Sequence, residues 1–176
     1  MKTLNYLIAV LFLVANLNCK TTYNIAKENL AMYEVIQSYI EFNTNSSSLY
    51  FRTIVEPSLD STFSEIVDYA YLNSSTNLIG DNSKMKFEDI FKEEEIILLK
   101  QRAAKVQEVK LSHIRLSGIN ISKKKNNALS VTVPIFSSNE KYALMYVEGN
   151  SGGDLYVFIK SKNTWKPYTI SNIWVS

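Results

Sequence analysis

The stretch Val131–Ser176 constrains the fold more than any other part of the chain. It reads as four strands separated by three polar turns. Val131–Phe136, Tyr142–Glu148, Leu155–Lys160 and Trp165–Val175 are rich in Val, Ile, Tyr, Phe and Trp, which suit a pleated and largely buried surface. Ser137–Lys141, Gly149–Asp154 and Ser161–Thr164 supply the Gly, Asn, Ser and Asp of chain reversals. Gly152 and Gly153 fall in the second reversal, where a positive φ would account for them.

Upstream of this meander the pattern turns helical. In Ile25–Asn43 the apolar residues Ala26, Leu30, Tyr33, Ile36 and Ile40 recur at steps of three and four, which gathers them on one helix face. Leu49–Val55 reads as extended and is stopped by Pro57. Ser58–Leu72 holds a second helix, with Glu65 three residues after Thr62 as in a capping box and Phe63, Ile66, Val67 and Ala70 on its inner side. Phe87–Gln107 is the longest helical stretch. Its Glu93–Glu95 triplet suits the start of a new helix after a break, because carboxylates favour a helix N-terminus. Val109–Ile121 reads as a strand broken near Gly118, and Asn73–Lys84 as a polar loop. Helices first and strands afterwards predict an α+β protein, with N-terminal helices packed on a C-terminal antiparallel β-meander. The terminal strands are more continuously apolar than a one-sided sheet requires. The second face is therefore expected to be covered, or the sheet to curve into a cone around a pocket.

The N-terminus speaks to compartment. Lys2 precedes a mostly apolar run, Leu4–Leu17, which is too short to span a bilayer but suits a secretory signal. The chain's one cysteine, Cys19, follows directly and resembles the lipidated cysteine of bacterial lipoproteins, although Asn16, Leu17 and Asn18 depart from their lipobox pattern. The expected organisation is a signal peptide over 1–18, a lipidated Cys19 with a polar tether to residue 24, and a single α+β domain over 25–176. Cleavage before Cys19 leaves 158 of the 176 residues, enough for one core without disulfides. Loss of Lys2 leaves 18 basic against 17 acidic residues, which argues against a nucleic-acid partner. Lys123–Asn127 is a basic turn, read as solvated.

Catalytic chemistry has little to draw on. His113 is the chain's one histidine and sits within a strand pattern, which favours a structural role. No paired-Cys, HExxH or clustered His/Asp spacing points to a metal, and no motif points to a cofactor. Gly80-Asp81-Asn82 lacks the spaced carboxylates of a calcium loop and reads as a turn. Asp154, Glu148 and Glu140 lie at turn edges, where a pair across a pocket would do acid/base work. Trp165 and Trp174 read as core or as cover for a sheet face.

The tail carries a recognisable pattern in Pro134-Ile135-Phe136, Ala143, Gly152-Gly153, Trp165-Lys166, Trp174 and Ser176. It resembles the ends of a group of small exported proteins of Bacteroidetes-type bacteria. Members of that group carry Cys in the Gly-rich turn, where this chain has Asn150 and Ser151. The resemblance implies export to the periplasm or outer membrane and no particular activity. The order of elements is also similar to the cone-shaped NTF2-like fold. Taken together, the expectation is an exported, lipid-anchored binding or structural module whose ligand is a protein or small molecule. The alternatives are a small NTF2-like enzyme using a pocket carboxylate, or an immunity-type inhibitor of a secreted toxin.

Overall fold

A computed structural model describes residues 30–43, 49–52, 54–55, 60–72, 76–79, 84–106, 109–111, 115–122 and 128–175. Residues 1–18, Cys19, Gly80-Asp81-Asn82, His113, Lys123–Asn127 and the Trp174 side chain lie outside the described residues. The chain divides into two compact units, Met1–Tyr33 and Glu34–Ser176. Of the first, only the opening turn of helix α1 (30–43) is described.

The second unit is α+β, as expected. Helices α2 (Asp60–Leu72), α3 (Phe87–Ile90) and α4 (Glu93–Ala103) precede most of an open antiparallel sheet. That sheet runs β4 (Lys84–Met85), β3 (Thr76–Leu78), β11 (Thr164–Val175), β10 (Gly152–Ser161), β9 (Tyr142–Gly149) and β7 (Ser130–Val131), with β8 (Ile135–Phe136) also paired to β9. β9, β10 and β11 form the expected meander. The first expected strand is split into β7 and β8 around Pro134, which cannot donate to a ladder. The polar loop expected over Asn73–Lys84 is instead the β3–β4 hairpin, which extends the sheet beyond β11. Smaller pairings join β1 (Leu49–Arg52) to β6 (Ile119–Ser122) in parallel and β2 (Ile54–Val55) to β5 (Val109–Lys110). Of the strand expected over Val109–Ile121, the described residues are strand only in β5 and from Ile119 on, with Gly118 at φ 77° just before β6.

Side chains alternate across β10, and both alternating sets are buried. Leu155 and Val157, with Leu144 and Tyr146 of β9, pack against Ile66, Val67 and Ala70 of α2, Phe87 and Phe91 around α3, and Ile96, Leu99 and Ala103 of α4. Tyr156 and Phe158 point the other way. There α1 covers them: the Tyr39 ring meets Tyr156 edge-on at 5.1 Å, and the Ser38 hydroxyl donates to the Trp165 carbonyl at 2.9 Å. A covering layer, one of the two expected ways to hide the second face, is present. Within α1, Val35, Ile36, Tyr39 and Ile40 are buried while Leu30 is 54 % exposed, against expectation. At 100° per residue Leu30 sits about 120° around the helix from Ile36, outside the buried arc.

The helical stretch after Phe87 breaks where the acidic triplet begins. Phe91 is extended at φ −126°, ψ 121°, and α4 starts at Glu93. Two contacts then fasten α4 to the β8–β9 turn. The Ser138 amide donates to Glu95 Oε1 at 2.6 Å and its hydroxyl to Glu95 Oε2, while Arg102 donates to the Phe136 carbonyl at 2.5 Å. On the other flank Lys100 pairs with Asp68 of α2.

The glycines of the β9–β10 reversal do not serve a positive φ. Gly152 and Gly153 lie in strand β10, and Gly153 borders a bulge against β11. At Gly149 an added methyl would come within 3.1 Å of Leu129 Cδ2, so a side chain there would press on Leu129. The left-handed turn residues are Lys162 and Asn163, at φ 48° and 64°, both positive as a type I′ hairpin demands. Two outcomes follow for chemical denaturation. Leu155→Ala, which opens a void between sheet and helices, is expected to cost about 2–5 kcal/mol. Asn163→Gly, which relieves a left-handed residue, is expected to leave stability unchanged or raise it by up to about 1 kcal/mol.

Candidate functional site

A cluster of polar groups lies on the α1 side of the sheet, at one end of β10. Strand alternation sets Asp154, Tyr156, Phe158 and Lys160 of β10 on one face. Register places Asn172, Ile170, Pro167 and Trp165 of β11 beside them. At one end of this face the Asn172 amide donates to Asp154 Oδ1 at 2.5 Å. One step inward lie Tyr156 and, from α1, Tyr39, which share a side-chain hydrogen bond. At the other end Trp165 packs against Phe136 at 5.5 Å with Lys160 Nζ 5.3 Å from its ring centre. Trp165 is thus a buried wall residue.

Burial decides the chemistry of the two phenols. Removal from water pushes Tyr156 up from 10.0 to about 12, and the neighbouring Asp154 carboxylate adds to the shift because a second negative charge is unwelcome there. Tyr39 is raised further, first by burial, then by Tyr156 and Asp154. Both hydroxyls therefore stay protonated throughout the physiological range. They donate and accept hydrogen bonds, and they do not act as general bases. Asp154, half-buried at the rim, and exposed Asn172 add an acceptor and a donor that an incoming polar group would meet first.

The three carboxylates singled out in the sequence do not converge. Asp154 faces α1. Glu148 pairs with Gly153 and so alternates to the opposite face, while Glu140 sits in the β8–β9 turn at the far end of β9. No group of three or more His, Cys, Asp or Glu able to hold a metal occurs among the described residues. On the helix-facing side, the Thr169 and Ser171 hydroxyls of β11 are buried with no hydrogen-bond partner among the described residues. Tyr39 was beyond sequence reasoning as a site residue. It stands outside the stripe of Ala26, Leu30, Tyr33, Ile36 and Ile40, and only the docking of α1 brings it to Tyr156.

The tyrosine pair makes stability depend on alkaline pH with a definite sign. A folded-state value above the unfolded one stabilises the fold fully below about pH 10 and loses that contribution as pH rises toward about 12. Unfolding midpoints measured between pH 8 and 12 are expected to fall above pH 10. The fall should be shallower in Tyr156→Phe, which has one fewer phenol to ionise on unfolding.

Compared with known proteins, the chain matches no family model, no curated protein and no solved structure. The functional reading therefore stands on this geometry and on the N-terminal sequence.

Proposed function

We propose that the chain is an exported module of a Gram-negative cell envelope, moored in the periplasm or at the outer membrane by lipid on Cys19, and that it acts by binding rather than by catalysis. The carrying observation is the position of Cys19, the single cysteine, immediately after Lys2 and the apolar run Leu4–Leu17. Among the described residues no helix is long and apolar enough to cross a membrane. Attachment in this reading rests on the N-terminal segment, where two or three acyl chains on one cysteine would hold stably. The likeness of the Pro134–Phe136, Gly152-Gly153 and Trp165-Lys166 pattern to small exported bacterial proteins supports the same route.

The binding half of the reading rests on the cluster at Asp154. Protonated phenols, one carboxylate and one amide at the end of a buried sheet face orient polar groups of a protein or small-molecule ligand. The spread of Asp154, Glu148 and Glu140 over different places supports binding over acid/base catalysis.

Metabolic labelling with an alkyne fatty acid tests the anchor. The parent chain in a Gram-negative host is expected to carry label and to sediment with membranes. Cys19→Ser is expected to lose the label entirely. A parent chain without label would overturn the anchor.

A further inference from the structure

The charged residues of the meander are sorted by end. Lys141, Lys160, Lys162 and Lys166 all lie where the β8–β9 and β10–β11 turns come together, while Glu148 and Asp154 lie at the other end, by the β9–β10 turn. The Lys160 amide donates to the Lys141 carbonyl at 2.9 Å, so these two lysines stand opposite one another across the strands. Like charges set directly opposite are destabilising. None of the four lysines has an ion-pair partner among the described residues. Two acids belong to the same end. Glu140 sits in the β8–β9 turn, and Glu95 is taken up by the Ser138 amide and hydroxyl.

The amines do not converge on one point. Lys160 Nζ lies 5.3 Å from the Trp165 ring centre, on the α1 side of the sheet. Lys166, paired with Ile159, alternates to the helix side. Lys141 Nζ lies 5.1 Å from the ring centre of Tyr142, which packs on that side against Phe91. Lys162 is at the hairpin tip, and it, Lys141 and Lys166 are exposed. A single bound anion would need these amines gathered on one face. Amines spread around the ends of three strands suit a flat array of negative charge met end-on. Near an anionic bilayer each such lysine strengthens attraction about fivefold, and salt screens the effect beyond a Debye length.

We infer that this end of the sheet is a membrane-contact surface, and that its occupant is the headgroup layer of an anionic phospholipid bilayer. The inference rests on the membrane-tethered reading above and adds an orientation for the Glu34–Ser176 unit. The lysine end faces the lipid. Asp154 and Asn172, roughly 20 Å along the strands from Lys160, face away and stay open to a ligand.

The test uses the full-length chain carrying Cys19→Ser and an N-terminal histidine tag, held on nickel-chelating lipid in phosphatidylcholine vesicles with or without phosphatidylglycerol. This tether makes the outcome independent of acylation, which the fatty-acid labelling reads separately. Acetylation by a water-soluble amine reagent is followed lysine by lysine by mass spectrometry. It is expected to slow about fivefold or more at Lys141, Lys162 and Lys166 on the anionic vesicles and to recover in high salt. Lys105, past the end of α4 remote from Glu95, is expected to react equally on both. Lys162→Glu combined with Lys166→Glu should abolish the slowing at Lys141, with acetylation elsewhere unchanged as the sign of an intact fold. Equal rates on neutral and anionic vesicles, equal slowing at Lys105, or a double variant that still protects Lys141 would each overturn the inference. So would slowing on neutral vesicles caused by inorganic phosphate alone, which would report a discrete anion site instead.

Discussion

Everything in this fold depends on burying both faces of β10. Leu155, Tyr156, Val157 and Phe158 are consecutive, alternate across the sheet, and are all buried. A strand of that kind cannot lie at a water-facing sheet surface. Each large side chain left exposed would forfeit about 1.5–3 kcal/mol of transfer free energy. Helices α2, α3 and α4 satisfy Leu155 and Val157. They leave Tyr156 and Phe158 bare, and α1 is the element that answers that need. The layer on the second face is thus a consequence of composition in one strand, where a meander with alternating polar residues would have stood with a single helical layer.

β11 shows how the sheet admits this and why its sequence is hard to read. Two irregularities, opposite Val157/Phe158 and Gly153/Asp154, leave Tyr168 and Ile173 outside the pairing with β10. Each extra residue exchanges the faces of the residues beyond it. Trp165 and Pro167 share a face with Ile170 and Asn172, although strict alternation would oppose them. The same shift turns Thr169 and Ser171 toward the helices, where both are buried.

Local signals carried the strands, the turns and the interruption before Glu93, because those depend on residues a few positions apart. The inner side of α2, Ile66, Val67 and Ala70, was visible for the same reason. The β3–β4 hairpin was not. Thr76, Asn77 and Lys84 are polar, and what makes them strands is pairing with one another and with Thr169 and Ile170 of β11, an interaction no window of sequence contains. The glycines misled in a different way. Lys162 and Asn163 adopt the left-handed turn conformation that glycine would take more cheaply, while Gly149, Gly152 and Gly153 lie in strands, Gly149 close to Leu129 and Gly153 beside a bulge. The polar cluster was half legible. Asp154 stands out at a turn edge, but its neighbours arrive through tertiary structure, Asn172 by register and Tyr39 by helix docking.

The docking of α1 explains why that cluster is polar at all. An apolar stripe sliding on an apolar sheet face has several near-equivalent positions, since hydrophobic contact has no direction. Three consecutive residues of α1 remove the ambiguity. Gln37 donates to the Ser117 hydroxyl at 3.1 Å and accepts from the Ser117 amide at 3.0 Å, Ser38 donates to the Trp165 carbonyl, and Tyr39 bonds to Tyr156. Each bond contributes only about 0.5–1.5 kcal/mol net, yet a shift of α1 by one turn would leave the buried phenols and the Trp165 carbonyl unsatisfied together, at a larger cost. The polar groups therefore fix the rotation and the height of the helix, and the apolar ones supply most of the adhesion. Asp154 and Asn172 are positioned by the β10–β11 pairing, so the docked helix sets only the phenols beside them.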